Sequence, residues 1–517
     1  MTNSHVMSDI TRRLALPLAL AGVLSACGGD GGTGPSNLTI AAHAGQNQSG
    51  PAGGPLPTAL AVLVTNGSGN PVAGQAVSWT ATGGSLDPTT SSTDANGVAS
   101  TAWRLGSAGG GQEARAALAD ASGSPVSFTA TAAAAVPAPP LVATVEVPAN
   151  YGAHDTYVRD GIAFLCAWNT GLIILDVGGG GHGGSPTSPV ELGRIVTSDD
   201  GVAGGPQVHN SWWFHNPVSA EKRYVFVGQE GPGSVGTSAQ GDIHVVDVSD
   251  LTAPHEVAFF HLGPIAGGST GTHNFWVDEP AQVLYAAYYN GGVVALDVSG
   301  TLSGDLSSRL IANLQPGGAG NTYVWGVQLY HGDLYASDML SGLWQLRLNR
   351  GAGTFSILGG GNNVPERYSA DLWVAGGYAY TGTWGSIPRG ANSGNQLKVW
   401  QLSGAGAPTL ANAVSIAGAG NVGDDEVSSD GKYLLAVTER GADEAKGLYL
   451  YGLANPTNPA LVAFANVPGV GNRGGGLHTG TFAVLGGRRY VFAARNPGPP
   501  GAPPPALVIF DVTDLTP

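Results

Sequence analysis

Four histidines stand at comparable places in the second part of the chain. They occur in the pairs His154-Asp155, His209-Asn210, His273-Asn274 and Leu477-His478, each heading a short apolar run. Three further heads complete the series: Trp325-Gly326, Ala370-Asp371 and Asp424-Asp425, so that heads recur at intervals of 46 to 64 residues. Four of the chain's 12 histidines thus fall in one register. Imidazole and carboxylate form a donor set that suits zinc, copper, iron or nickel. His154, His209, His273 and His478 are therefore candidate ligands of a transition metal ion. Asp155, Asn210, Asn274, Trp325, Asp371 and Asp425 are candidate ligand-binding positions beside them. A structural role is the competing reading, because histidine and Asx side chains at strand ends also tie strands together and cap turns. The mixed chemistry of the heads, with Trp in one and acids in two, keeps the functional reading open. No catalytic residue is assigned.

The elements that must position these residues repeat with them. An apolar run entered through Gly recurs as GLIILDV (171–177), GDIHVVDV (241–248), GVVALDV (292–298) and GLYLYGL (447–453), with ALVIFDV at 506–512. Each is too short for a helix, and its lack of alternation predicts a strand covered on both faces. Ahead of each lies another strand, such as IAFLCAW from Ile162 or YVFVGQ from Tyr224, and a shorter one begins at the head. A fourth strand, such as VELGRIV from Val190, follows all runs but the last. Four short strands per unit at this period indicate a β-propeller, here of seven blades. The last unit lacks its fourth strand, and residues 141–148 (LVATVEVP) read as a strand belonging to no unit. Pairing the two closes the ring and covers an exposed edge. All heads then lie at one end of the channel, with the long loops 230–240, 384–395, 439–446 and 495–505.

The runs ending in Asp-Val, with DVSDLTAP (247–254) and DVTDLTP (511–517), resemble the bacterial LVIVD-repeat proteins over residues 141–517. That resemblance implies an exported or surface propeller and no single activity. Upstream, GNPVAGQAVSWTATGGSL (69–86) and TDANGVASTAWRLG (93–106) resemble group 1 bacterial Ig-like domains, as in invasins and intimins. The domain spans 38–134 and implies a stalk or spacer. Residues 135–140 are a Pro/Ala linker. Residues 1–26 read as an export signal, with Arg12 and Arg13 before a short apolar core. Leu24-Ser25-Ala26-Cys27 resembles a lipobox, which implies cleavage before Cys27, its acylation, and attachment to the membrane, the outer one where the cell has one. Residues 27–37 are a Gly-rich tether.

Composition narrows the partners. Only 11% of residues are charged, the net charge is −15, and 83 residues are Gly. The lysines are Lys222, Lys398, Lys432 and Lys446 alone, which argues against nucleic acid. With Cys27 acylated, Cys166 is left without a disulfide partner, in an apolar strand. The expected fold is all-β: an Ig-like β-sandwich followed by a seven-bladed β-propeller closed by an N-terminal strand. The expected role is a lipid-anchored, monomeric binding or adhesion protein whose head meets a protein or glycan. The alternatives are a metal-dependent enzyme using the histidines and a structural scaffold. Trp212-Trp213 is a candidate sugar or peptide platform, and His215 a further residue within reach of the mouth. GGGGHGG (178–184) lacks the Lys-Ser/Thr of a phosphate loop and reads as a turn, with the preceding Asp capping it.

Overall fold

The computed structural model describes residues 37–133, 136–148, 152–198, 205–231, 241–263, 265, 271–361, 368–385, 394–404, 406–469, 475–495, 497 and 502–516. The export signal, Cys27 and nearly all of the tether lie outside the described residues. The chain divides into two units, Met1–Ala135 and Val136–Pro517.

The first unit is a sandwich of two five-stranded sheets. Val98–Arg104 and Val126–Ala133 alternate between buried and exposed positions. Such alternation lets a strand put one face on a core and the other in water. Trp79, Trp103 and Phe128 fill that core. The DANG turn forms because Asp94 Oδ1 accepts the N–H groups of Asn96 and Val98, both at 2.9 Å, while Gly97 takes a φ of 73°.

In the second unit the described residues form seven sheets. Blade 1 is Asp155–Arg159, Ile162–Cys166, Leu172–Asp176 and Val190–Ile195, hydrogen-bonded in that order. Its two middle strands are buried at every residue, whereas the outermost is half-exposed. Blades pack face to face, so the middle strands are covered on both sides; this is why their sequences lack alternation. Cys166 lies there, and burial holds its thiol well above the usual range. Innermost strands of successive blades neighbour one another around the axis, and Asp155–Arg159 of blade 1 lies beside Thr479–Leu485 of blade 7, so the ring is closed. Leu141–Glu146 supplies the missing strand, running antiparallel to Ala506–Asp511 with Thr144 opposite Val508 and Val145 opposite Leu507.

The Asp that ends a middle strand caps the turn after it. Asp176 Oδ1 accepts N–H groups from Gly178, Gly179 and Gly180, and Oδ2 those of His182 and Gly184, so 178–184 is an Asp-centred turn. Asp297 and Asp511 accept from Ser299 and Thr513 in the same way.

Candidate functional site

Backbone bonds define the equivalent position in each blade. The N–H of His154 donates to Cys166, that of His273 to Ala287, that of His478 to Ala494, and that of Gly423 to Val437. In blades 2, 4 and 5 a β-bulge occupies this place, holding His209, Trp325 and Ala370. Bulges re-aim side chains, here towards the channel axis. The blade 6 head is therefore Gly423, and Asp424 takes the place that Asp155 and Asp371 hold in blades 1 and 5. Asp425 falls on the other side of its strand and is not brought to the mouth. Its Oδ1 accepts the N–H of Gly382 in blade 5 at 3.0 Å.

Three layers follow down the channel. The first is a closed circuit of six rings. His478 and His154 have centroids 4.0 Å apart, His154 and His209 4.3 Å, His209 and His273 3.9 Å, and His273 and Trp325 4.0 Å. Trp384 completes it, 5.2 Å from Trp325 and 6.1 Å from His478. All four histidines are buried. Burial and the neighbouring imidazoles hold His154, His209 and His273 well below the ordinary histidine range. Burial acts in the same direction on His478, but Glu439 outweighs it and raises that ring. Glu439 Oε2 lies 3.0 Å from His478 Nδ1. Glu230 Oε2 lies 3.7 Å from His154 Nε2 and 4.0 Å from His209 Nε2, and Tyr289 donates its hydroxyl to the other oxygen of Glu230.

The second layer carries Asp155, Asn210, Asn274, Asp371 and Asp424. Asn274 Nδ2 donates to Asp371 Oδ2 at 2.8 Å, and the N–H of Gly480 donates to Asp424 Oδ2 at 2.7 Å. The third layer lies three residues beyond the first: Tyr157, Trp212, Trp276, Trp373 and Glu426. Its aromatic rings form an arch, with centroid spacings of 5.2, 5.3 and 6.1 Å from Tyr157 through Trp212 and Trp276 to Trp373. Layers two and three line a cavity of about 300 Å³. Among the described residues no Lys, Arg or His lines it. Burial therefore acts on its acids without a compensating cation. It pushes Asp371 up to about 7 and Glu426 up to about 8, and raises Asp155 and Asp424.

Strand alternation separates Trp212 from Trp213. Trp212 faces the cavity, while Trp213 packs inside the blade and its Nε1 donates to the Lys222 carbonyl at 3.0 Å. His215 is not brought to the mouth. Six residues of strand, roughly 20 Å, separate it from His209. It sits edge-on to Trp213, with its backbone N–H donating to Glu279. Glu230, Glu439, Trp384, Glu426 and the arch residues Tyr157, Trp276 and Trp373 were not among the expected site residues. The arch had a readable signal: its members stand three residues after the heads at 154, 209, 273 and 370. The two glutamates and Trp384 stand outside the head register, at the ends of second strands, and their one signal was that they open the loops 230–240, 439–446 and 384–395 expected at this end.

Two modules joined in one chain define the class of protein: an Ig-like sandwich and a propeller with a polar, aromatic axis. Residues 44–131 match the bacterial Ig-like domain (group 1), and residues 152–197, 238–261 and 366–387 match the LVIVD repeat. Both matches are consistent with an exported or surface protein and with a binding role in general. Similar solved structures include the computationally designed Ika8 protein, at 9% identity and a TM-score of 0.42, and the β-propeller domain of Myceliophteria thermophila Cps50 (Swd1), at 9% identity and a TM-score of 0.46. Each alignment covers 72% of this chain and 99% of the other. Comparison with curated proteins finds no match.

Proposed function

We propose that this is a lipid-anchored binding protein of the bacterial surface or periplasm, with the Ig-like domain as spacer and a propeller that takes the ammonium group of a glycan or peptide ligand into its axial cavity. The observation that carries this reading is the lining of that cavity, where aromatic faces and four acids meet with no basic side chain among them. An ammonium ion within about 6 Å of a Trp face gains roughly 0.5–2 kcal/mol, more as water is excluded. It would also favour ionisation of the acids Asp155, Asp371, Asp424 and Glu426, whose proton affinity burial raises in the absence of a cation. A neutral sugar would stack on the arch but bring no charge to the acids. At about 300 Å³ the space is at the small end of ligand sites, enough for one sugar ring or one side-chain terminus.

Calorimetric titration of the mature protein tests this with four probes: glucosamine, glucose, a lysine-containing peptide and its norleucine counterpart. The amine of at least one pair is expected to bind about 10-fold or more tightly than its neutral partner, and the pair that responds identifies glycan or peptide as the source. Trp276→Ala should weaken that binding. Equal affinity for amine and neutral probes, or an unaffected Trp276→Ala variant, would show the reading to be wrong.

A further inference from the structure

We infer that His154, His209 and His478, with Glu230 beside them, form a binding site for one divalent transition metal ion of the zinc or copper class in the first layer of the channel. One ligand nitrogen from each histidine lies within 4.8 Å of the other two, and His209, His273 and Glu230 form a second such group that shares His209. Metal–nitrogen bonds of 2.0–2.1 Å in a tetrahedron place nitrogens about 3.3–3.4 Å apart. The nitrogens thus lie within roughly 1.5 Å of the spacing a tetrahedral site requires.

The hydrogen bonding distinguishes this site from a set of structural histidines. A histidine that ties strands together uses its ring nitrogens to do so. Here the strand bonds are made by the backbone N–H groups of His154, His273 and His478. Both ring nitrogens of His209, both of His273, and Nδ1 of His154 and of His478 are buried and make no well-aligned hydrogen bond, with the Asn210 and Asn274 amides beside the His209 and His273 rings. Buried polar atoms are nearly always satisfied, so a cluster of such nitrogens, several of them directed at one region, points to an absent partner that accepts lone pairs. Glu439 lies 3.0 Å from His478 Nδ1, and carboxylates commonly orient metal-bound imidazoles and strengthen them as donors. Tyr289 similarly fixes Glu230 through one oxygen and leaves the other towards His154 and His209. Three imidazoles and one carboxylate favour zinc or copper over calcium or magnesium, which take oxygen ligands.

None of the three histidines lines the axial cavity, so this inference does not depend on the amine reading. The test strips the mature protein with a chelator and titrates it with Zn²⁺ and Co²⁺ alone. One ion per chain is expected, with the visible absorption of four-coordinate Co²⁺. His209→Ala should weaken binding about 100-fold, and Glu230→Gln about 10-fold. His261→Ala, at an exposed ring, should bind as wild type does. If His209→Ala does not fold, Glu230→Gln decides: a 10-fold loss at an unchanged melting temperature supports the site, and wild-type affinity overturns it. Absence of stoichiometric binding tighter than about 10 µM in the wild type, or wild-type affinity in a folded His209→Ala, also overturns it.

Discussion

Gly326 shows how much one side chain decides at the axis. A Cβ built there would lie 2.6 Å from Asp371 Oδ1. Its absence leaves room for Asn274 of blade 3 to reach Asp371 of blade 5 across blade 4. Glu426 makes the electrostatic consequence measurable. It faces Asp424 and Asp155, accepts the N–H of Phe482, and is pushed up to about 8 from an ordinary 4.5, chiefly by burial. The folded chain therefore holds a proton that the unfolded chain releases above 4.5. The stabilisation this brings is complete below 4.5 and disappears as the pH rises through about 8. Gln is neutral throughout, so Glu426→Gln is expected to raise stability at pH 9 by about 2–3 kcal/mol, a few degrees in melting temperature, and to change little at pH 4.5. Melting curves at the two pH values check this, and an equal shift at both would contradict it. At this scale the histidines were legible because the repeat numbers them. The identity of the blade 6 head was not, since adjacent Asp424 and Asp425 are equally good readings until the backbone bond of Gly423 to Val437 sets the register.

Among the elements, the middle strands were the most readable, because burial on both faces leaves unbroken apolar runs. The bulges in blades 2, 4 and 5 were invisible: they arise from pairing, and an extra residue in one strand has no separate signature in the chain. Leu141–Glu146 was readable only by elimination, as a strand without a unit. It covers the edge of Ala506–Asp511, with Val142, Ala143 and Val145 packed on the core shared by blades 1 and 7. Deleting residues 141–146 should expose that edge to pairing with other chains. Loss of these contacts is expected to cost at least about 3 kcal/mol of stability, with higher-mass species on size exclusion. An unaltered melting temperature and a monomeric profile would refute this account of closure.

At the scale of the whole molecule, the proposed function assigns Cys27 and the Ig-like unit the placing of the head and leaves its folding to the propeller itself. In our reading Cys27→Ser abolishes acylation and moves the protein from the membrane pellet to the soluble fraction after a carbonate wash, with the melting of both units unchanged. Retention in the pellet would refute the anchor. The order of modules, the all-β class, the blade period and the closing strand were all determined by the sequence itself. They follow from local patterns: alternation where a sheet has one wet face, continuous runs where it has none, Gly and Asx at turns. What each axial residue meets was decided only by the tertiary structure. The six rings of the circuit come from six different blades, and Glu230 and Glu439 approach from the ends of second strands more than 200 residues apart. Local pattern specifies which face a side chain takes. Only closure of the ring brings residues so distant in the chain within a few ångströms, where burial shifts their proton affinities and leaves their lone pairs unmatched.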